Sequence, residues 1–361
     1  MSCEVAGSMA LTRAMSHCRE GREMTALETE DLVASLADPH VADQAKADFL
    51  IAWAAKGETA GELAGMARAF LARGKSAGLT GRWGGKPLAD CCGTGGGGRP
   101  LVNISTAAGM VAAAAGLPVA KHGNRGITRA SGSADALTAL GLRGVRDAGE
   151  LADCLAEVGC AFLYAPDFHP AFGGVAGARK ILATQGKRTA FHLLGPLVNP
   201  AKPEVRMVGV FREEDISKLA GALEILGAES FAIVYGADEK GAPLGELSPL
   251  GRNRLVGKKG GQKFDLLEVG GMSGAMPAKD LEVANAGESA AKMEAALVGD
   301  GSKVVSESVA WNAGVLLWLA GTADDWSTGR KLAEKTMKSG GARALLGRWR
   351  TWSRGRSVET K

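Results

Sequence analysis

The run Gly93-Thr94-Gly95-Gly96-Gly97-Gly98 is the part of the chain whose residue types and spacing point most directly to chemistry. Residues with almost no side chain let consecutive backbone N–H groups turn to one side, and such a nest binds anions such as phosphate. Glycine runs also occur in flexible linkers, so the loop alone leaves both interpretations open. The residues that follow favour the anion site.

The segment Asn103-Ile104-Ser105-Thr106 predicts the end of a strand and the start of a helix shortly after this loop. Free backbone N–H groups and the helix dipole favour phosphate at such a position. The hydroxyl groups of Ser105 and Thr106 would also serve as ordinary N-caps, and the two roles are compatible.

The run Lys121-His122-Gly123-Asn124-Arg125 places two cations, an imidazole and an amide directly after a predicted strand at residues 117–120. In open α/β sheets, ligands bind at the carboxyl edge of the strands. A solvated turn explains the charges but not their place at this edge. The run Gly132-Ser133-Ala134-Asp135 opens a further predicted helix and offers a second place for oxygen anions.

The elements that must position these residues are of two kinds. Before residue 90 the periodicity predicts helices, at residues 29–36, at residues 43–56 and from the capping box at Thr59 and Glu62 to Gly74. After it, short β-rich runs alternate with helices, which implies parallel βαβ units with buried strands. The predicted strands there are 101–104, 161–164, 207–211 and 231–235, and the predicted helices are 106–115, 213–226, 304–319 and 326–337.

The two ends of the chain carry weaker patterns. Residues 1–24 combine charges with no apolar core, so we expect an extension without fixed structure and no signal peptide. The basic tail beyond Arg348, with Trp349 and Trp352, is expected to be a frayed end.

Composition excludes several classes of protein. The chain of 361 residues is 46% hydrophobic and 23% charged, which is typical of globular proteins and argues against a disordered or fibrous one. A net charge of +4 suits an anionic small molecule and gives little reason to expect nucleic acid. The six cysteines form no CxxC pair, no apolar run is long enough to span a membrane, and we expect reduced thiols and a cytoplasmic location.

These motifs together resemble the anthranilate phosphoribosyltransferase family, enzymes of tryptophan biosynthesis that join anthranilate to phosphoribosyl pyrophosphate. The resemblance spans nearly the whole chain. It is carried by Lys56-Gly57-Glu58-Thr59 with Ala64-Gly65, the glycine loop, Asn103-Ile104-Ser105-Thr106, Lys121 to Arg125, Gly132 to Asp135, His169-Pro170-Ala171, Gly195-Pro196-Leu197 and Asn199-Pro200-Ala201.

The resemblance implies an α/β fold with a mostly parallel central sheet, of the class shared by nucleoside phosphorylases and these phosphoribosyltransferases. A small helical domain at residues 25–88, joined by about 167–200, would precede a larger α/β domain at residues 89–361 that binds phosphoribosyl pyrophosphate. Members of the family are usually homodimers that pair through the helical part, and their donor is bound with Mg²⁺.

The resemblance also implies roles for individual residues. Those at donor-binding positions are Gly93, Thr94, Gly95, Gly96, Asn103, Ser105, Thr106, Lys121 and Ser133. Those at acceptor-binding positions are His122, Asn124, Arg179 and Pro196. The implied metal ligands are Ser105 and Glu246. No residue is assigned as a catalytic acid or base, because an amine nucleophile needs orientation more than a strong base.

The chain departs from the family pattern at three places. Gly97 replaces an acidic residue of the loop, and Gly245 replaces the Asp of an adjacent Asp-Glu pair of metal ligands, of which Glu246 remains. The acceptor side has Phe172-Gly173-Gly174 where the family tends to have Met-Lys-His, and His192 stands where Asn is usual. Asp238 and Glu239 lie in a longer loop upstream and are candidates to replace the missing ligand, although a solvated loop is the simpler expectation.

Three functions are compatible with these observations. The first is transfer of phosphoribose to anthranilate, by a divergent member of the family. The second is the same transfer to a different aromatic or amine acceptor. The third is a non-catalytic, nucleic-acid-binding paralogue, which the basic tail favours and the mild net charge and intact Lys121 to Arg125 run oppose.

Overall fold

The computed structural model describes residues 3–95, 97–126, 131–269 and 277–356. The chain begins with four helices, and short helices in the middle of the chain pack against them. The first four are α1 (Cys3–Arg19), α2 (Ala26–Ala37), α3 (Asp43–Lys56) and α4 (Ala60–Ala72). The later short ones are α8 (Ala165–Phe168), α9 (Ala176–Thr184) and α10 (Phe191–Leu194).

Helix α4 begins at the capping box that the sequence predicts. The hydroxyl of Thr59 accepts a hydrogen bond from Glu62 N at 3.1 Å, and Glu62 Oε2 accepts one from Thr59 N at 3.2 Å. The same carboxylate also accepts from Trp53 Nε1 and Lys56 Nζ, both at 2.8 Å. One buried carboxylate therefore joins the start of α4 to the end of α3.

The expectation that residues 1–24 form an extension without fixed structure is wrong. Residues 3–19 form helix α1, and Leu11, Ala14 and Cys18 are buried in the core that the other helices share. Apolar residues at these spacings lie on one side of a helix, so burial against α2 and α3 stabilises a segment whose charges suggested otherwise.

The second part of the chain is built on a seven-stranded sheet in the order β5-β4-β3-β6-β7-β8-β9. Its strands are β3 (Ala89–Gly93), β4 (Val119–Gly123), β5 (Cys160–Tyr164), β6 (Val205–Gly209), β7 (Ser230–Gly236), β8 (Arg252–Lys259) and β9 (Gln262–Val269). The first five are parallel, and β8 and β9 are added antiparallel. A small hairpin, β1 (Arg82–Trp83) with β2 (Lys86–Pro87), precedes the sheet.

Helices cover both faces of the sheet. They are α5 (Ile104–Ala114), α6 (Ser133–Ala139), α7 (Ala148–Glu157), α11 (Asp215–Ile225), α12 (Ala286–Val298), α13 (Lys303–Leu319), α14 (Trp326–Lys338) and α15 (Gly341–Gly355). One core contains α5 and the C-terminal helices, and a second joins α11 to the N-terminal helices. The prediction of a helical domain with a larger, mostly parallel α/β domain is confirmed.

Two local predictions after the glycine loop are wrong. Residues 101–104 do not form a strand, because only Leu101 makes a bridge, with Glu282, and helix α5 already starts at Ile104. Lys121 and His122 do not follow a strand but belong to β4, where Lys121 is in register with Phe162 of β5. Pairing with β5 extends this strand to Gly123, which a short apolar run in the sequence does not reveal.

The basic C-terminal segment is a helix rather than a frayed end. Trp349 and Trp352 of α15 are 1% and 3% exposed, because the helix packs on α5 and α7. The guanidinium of Arg350 pairs with Glu294 at 2.7 Å, and that of Arg356 pairs with Asp153 at 2.8 Å.

Among the described residues, no helix has the length and apolar character needed to cross a bilayer. The cysteines at positions 18, 91, 92, 154 and 160 are all free thiols.

Candidate active site

The glycine loop leaves the sheet at its carboxyl edge. Gly93 is the last residue of β3 and is in register with Gly209, the last residue of the neighbouring β6. The N–H of Thr94 donates to the Gly209 carbonyl at 2.8 Å, so pairing between the two strands extends into the loop. Gly96 lies outside the described residues. The loop is therefore anchored at its start on a buried strand, which is the position of a ligand-binding loop rather than of a linker.

The first turn of α5 faces the loop. Ser105 and Thr106 are 7% and 1% exposed, and the N-cap is Asn103, whose side chain makes no capping hydrogen bond. Its Oδ1 instead accepts from Ser131 Oγ at 2.9 Å and Ser289 Oγ at 2.8 Å. The alternative that Ser105 and Thr106 act as ordinary N-caps is therefore not realised.

The ammonium group of Lys121 lies next to this turn. Its ammonium donates to the Cys91 carbonyl of β3 and lies 3.5 Å from Ser105 Oγ. Burial by itself lowers the pKa of Lys121, but the thiols of Cys91 and Cys92, followed by the carboxyl groups of Asp90 and Glu246, offset this effect and hold the pKa above its ordinary value. The side chain is therefore a permanent positive charge at 3% exposure.

Glu246 completes this group from the loop after β7. Its Oε1 accepts a hydrogen bond from Ser105 N at 3.3 Å, so carboxylate, hydroxyl and ammonium lie side by side. Among the described residues, no three His, Cys, Asp or Glu side chains form a metal-binding group of their own. The half-buried carboxylate and the Ser105 hydroxyl are hard oxygen ligands that fit Mg²⁺, with the remaining ligands coming from water and a bound phosphate.

Asp238 is neither in a solvated loop nor available as a metal ligand. It is 5% exposed, and its carboxylate pairs with Arg99 at 2.7 Å and accepts from the N–H groups of Lys240 and Ala242. Burial raises the pKa of this carboxyl, but the Arg99 guanidinium and the two N–H groups outweigh burial and leave the pKa below its ordinary value. The expectation of a solvated loop is wrong for Asp238.

Ser133 and Asn124 lie where β4 ends and α6 begins. The Cβ of Ser133 faces Gly123, and the Asn124 carbonyl accepts from Ala134 N at 3.2 Å. One N–H group at the start of α6 is already engaged, because Asp135 Oδ2 accepts from the N–H of Gly132 at 3.0 Å.

The residues of the expected acceptor site meet between the two parts of the protein. The ring of His122 lies 5.1 Å from that of His169, which lies 5.5 Å from Phe172. Phe172 in turn packs 5.6 Å from Phe191, over which the guanidinium of Arg179 lies at 5.5 Å. The structure thus brings His122 and Arg179 to one aromatic cluster, with the guanidinium at its far end.

Both imidazoles of this cluster are held neutral. Burial lowers the pKa of His122 to about 4 and that of His169 to about 3. His122 Nδ1 lies 3.3 Å from the carbonyl of Gly195, beside buried Pro196, and His122 Nε2 has no hydrogen-bond partner among the described residues. Burial also lowers the pKa of Arg179, and none of the ion pairs in the described part of the chain includes this residue. The cluster therefore offers neutral rings and one cation.

Asp90 is a residue of this site that reasoning from the sequence missed. Its carboxylate accepts from the His122 N–H at 3.1 Å and from Asn199 Nδ2 at 2.8 Å, and Asn199 Nδ2 also donates to the Ala120 carbonyl at 2.8 Å. Asp90 thus joins β3 and β4 to the segment that follows Pro196. Asp90 lies in β3, a strand that the sequence pattern did not predict, so no signal in the sequence singled out this carboxylate.

His192, at one of the departures from the family pattern, lies against the loop. A Cβ added to Gly95 would come within 2.9 Å of its ring, so the two residues are in close contact. Its Nδ1 lies 2.9 Å from the Thr189 carbonyl.

Models of two domain families match the chain. Residues 12–74 match the helical bundle domain of a glycosyl transferase family, and residues 85–343 match its α/β domain. The first match includes much of α1, in agreement with the structure.

Individual relatives agree with the domain matches. The anthranilate phosphoribosyltransferase of Erythrobacter litoralis is 38% identical over 325 residues, which are 89% of this chain and 94% of that protein. The crystal structure of the Thermus thermophilus enzyme of the same name is 35% identical, with a TM-score of 0.82 over 94% of this chain and 99% of that one.

A more distant structure shares the fold. The Saccharomyces cerevisiae enzyme, solved with phosphoribosyl pyrophosphate and Mg, is 23% identical, with a TM-score of 0.81 over 96% of this chain and 98% of that one. The geometry at the edge of the sheet, the two domain matches and the close relatives have one explanation: this chain belongs to the anthranilate phosphoribosyltransferase family.

Proposed function

We propose that the protein transfers the phosphoribosyl group of phosphoribosyl pyrophosphate to anthranilate, giving N-phosphoribosylanthranilate and pyrophosphate. The observation that carries this proposal is that Lys121, Ser105 and Glu246 meet beside the glycine loop. His122, the next residue of the same strand, has its ring in the aromatic cluster. The proposed donor and acceptor sites therefore lie next to each other, on the two sides of strand β4.

The donor half of the site suits a departing diphosphate. When the bond from ribose C1 to the diphosphate oxygen breaks, negative charge builds on the leaving group and positive charge on the ribose. The buried ammonium of Lys121 is in place before this charge develops, so it would stabilise the leaving group without reorganisation. Backbone N–H groups of the glycine loop would add to this effect. When bound, Mg²⁺ would neutralise further charge on the diphosphate, held by Glu246 and Ser105.

The acceptor half suits an aromatic carboxylate. The Arg179 guanidinium is a cation for the carboxylate, and the rings of Phe172 and Phe191 provide an apolar wall for the benzene ring. The aryl amine is uncharged at neutral pH, so attack on C1 requires that its lone pair be oriented and that the surplus proton leave afterwards to water or phosphate. We assign this orientation to neutral His122, which lies at the aromatic cluster, and, from the family resemblance, to Asn124.

Turnover by the purified protein tests the proposal. We expect the fluorescence of anthranilate to disappear on addition of phosphoribosyl pyrophosphate and MgCl₂, and the loss to stop when either is omitted. Donor binding measured by calorimetry, with no loss of anthranilate fluorescence, would overturn the proposed acceptor. Absence of both binding and turnover would overturn the whole assignment.

We also propose that the protein acts in the cytoplasm as a homodimer that pairs through its helical part. Exposed apolar side chains such as Leu27, which is 81% exposed on α2, support pairing there. Light scattering on the purified protein is expected to give twice the chain mass of 37.0 kDa, and a monomer at all concentrations would contradict the proposal.

A further inference from the structure

The ring of Phe211 occupies the space between the glycine loop and the turn that carries Glu246. Phe211 follows strand β6 and is 7% exposed. A Cβ added to Gly97 would come within 2.3 Å of this ring, and one added to Gly245 would come within 2.4 Å. Carbon atoms in contact lie about 3.5–4.0 Å apart, so neither position has room for a side chain while the ring is present.

The backbone around Phe211 is packed equally closely. A Cβ added to Gly209 would lie 1.9 Å from the Gly245 carbonyl oxygen, and Gly209 also accepts the hydrogen bond from Thr94 N. The turn itself is anchored on its other side, because Leu247 N donates to Asn312 Oδ1 at 3.1 Å. The distance between the glycine loop and Glu246 is thus set by contacts through β6 and the ring of Phe211.

We propose that Phe211 is a positioning residue that sets the spacing between the donor loop and Glu246, and that its ring leaves Glu246 as the one carboxylate able to hold the metal. The inference rests on the proposed function, because it concerns the donor and metal half of that site.

The ring also explains why the two unusual glycines occur together. Gly97 and Gly245 are the positions at which the resemblance implies acidic residues, and both lie against Phe211. Gly245 has a φ of +73°, which glycine adopts freely and which Asp tolerates better than most residues. The backbone alone would therefore admit an Asp at position 245, whereas the ring excludes it.

The first arm of the experiment removes the ring. Phe211→Ala is compared with Phe211→Leu, which restores an apolar side chain, and with Phe264→Ala. Phe264 is a partly buried residue of β9 whose ring lies tilted at 53° to that of Trp318, with 4.9 Å between the ring centroids. We expect Phe211→Ala to raise the KM for phosphoribosyl pyrophosphate about tenfold, because small displacements of positioning groups are costly. The KM for anthranilate should stay unchanged, Phe211→Leu should recover much of the loss, and Phe264→Ala should change neither KM.

The second arm tests whether the ring of Phe211 keeps a second carboxylate out of the metal site. Binding of Mn²⁺ by Gly245→Asp and by the double variant Phe211→Ala/Gly245→Asp is measured from the electron paramagnetic resonance signal of free Mn²⁺, with phosphoribosyl pyrophosphate present. We expect the double variant to bind Mn²⁺ about tenfold more tightly than Phe211→Ala, and Gly245→Asp alone to bind it no better than the wild-type protein.

The outcomes separate this inference from the proposed function. A wild-type protein that neither binds the donor nor consumes anthranilate overturns the proposed function and this inference with it. An active wild-type protein overturns the inference alone if Phe211→Ala behaves as Phe264→Ala does. The same holds if Gly245→Asp alone tightens Mn²⁺ binding as much as the double variant.

Discussion

The surroundings of Lys121 keep its side chain charged although it is buried. An ammonium group at 3% exposure loses its hydration, yet the Cys91 carbonyl and the nearby carboxyl groups Asp90 and Glu246 keep it charged. A fixed charge in a site sheltered from water interacts more strongly with an anion than the same charge at the surface.

Replacement of Lys121 by Met keeps the buried volume and removes the charge. We expect turnover to fall by about 10²-fold, the loss typical of one missing stabilising group, while the thermal midpoint falls modestly because the Cys91 carbonyl loses its donor. Steady-state kinetics and thermal melting check this. Lys86→Met, which alters an exposed lysine bonded to the Gly116 carbonyl, is the control. Unchanged turnover in Lys121→Met would contradict the phosphate assignment.

The variant Glu246→Gln tests whether the carboxylate of this single residue is a ligand of the metal. The amide oxygen still accepts the hydrogen bond from Ser105 N, but the charge that attracts Mg²⁺ is gone. We expect the Mg²⁺ concentration for half-maximal activity to rise about tenfold or more. Asp238→Asn, which weakens the pair with Arg99, is expected to leave the metal titration as it is in the wild-type protein. If Asp238→Asn instead raises the Mg²⁺ concentration for half-maximal activity and Glu246→Gln does not, the metal is bound at Asp238.

At the scale of elements, strand β4 and helix α15 show what packing adds to local sequence. Strand β4 runs three residues further than its apolar pattern because β5 pairs with it as far as Gly123, so consecutive side chains, Lys121 and His122, point to opposite faces. Helix α15 is rich in arginine, but Arg350 pairs with Glu294, and Arg343 and Arg348 bond to carbonyl oxygens. Arg356, just after the helix, pairs with Asp153. These contacts give the helix a structural role and remove the main argument for nucleic-acid binding.

A chain that ends at Arg348 is expected to lose its fold. It lacks the buried rings of Trp349 and Trp352, each of which contributes about 3–5 kcal/mol by comparison with truncation to Ala. That loss approaches the whole free energy of unfolding of an ordinary domain. Urea denaturation, with a chain that ends at Arg356 as control, measures it. A stable shortened protein, together with a salt-sensitive DNA mobility shift by the full chain, would support the nucleic-acid alternative.

At the scale of the whole molecule, the acceptor cluster lies where the helical part meets the sheet. His122 comes from β4, His169 and Phe172 come from the segment around α8 and α9, and Asp90 with Asn199 joins the two. The neutral imidazoles are therefore buried where segments distant in the chain pack together.

This burial predicts a pH dependence of global stability. The unfolded chain protonates His122 near pH 6.5, whereas the folded protein does so only at about pH 4. The unfolded state therefore binds more protons within this window, and stability falls as the pH drops through it. Between pH 7 and pH 5 the wild-type protein is expected to lose about 2 kcal/mol more than His122→Gln. Urea denaturation at the two pH values measures the difference, and equal losses would show that His122 is not buried in its neutral form.

The sequence alone determined the family and the change from a helical part to alternating strands and helices, and it singled out the glycine loop and Lys121. These depend on local periodicity and on short ordered motifs, which the chain displays without folding. It also predicted seven helices within a few residues, among them α3 and α4, because apolar periodicity and helix ends are local signals.

Only the tertiary structure decided the rest. Several features depend on residues far apart in the chain. Arg99 pairs with Asp238, and Asp90 bonds to His122 and Asn199. Packing also orders α1 and α15, and it places the ring of Phe211 between Gly97 and Gly245. Burial and close packing arise when distant segments meet, so no pattern confined to one stretch of sequence records them.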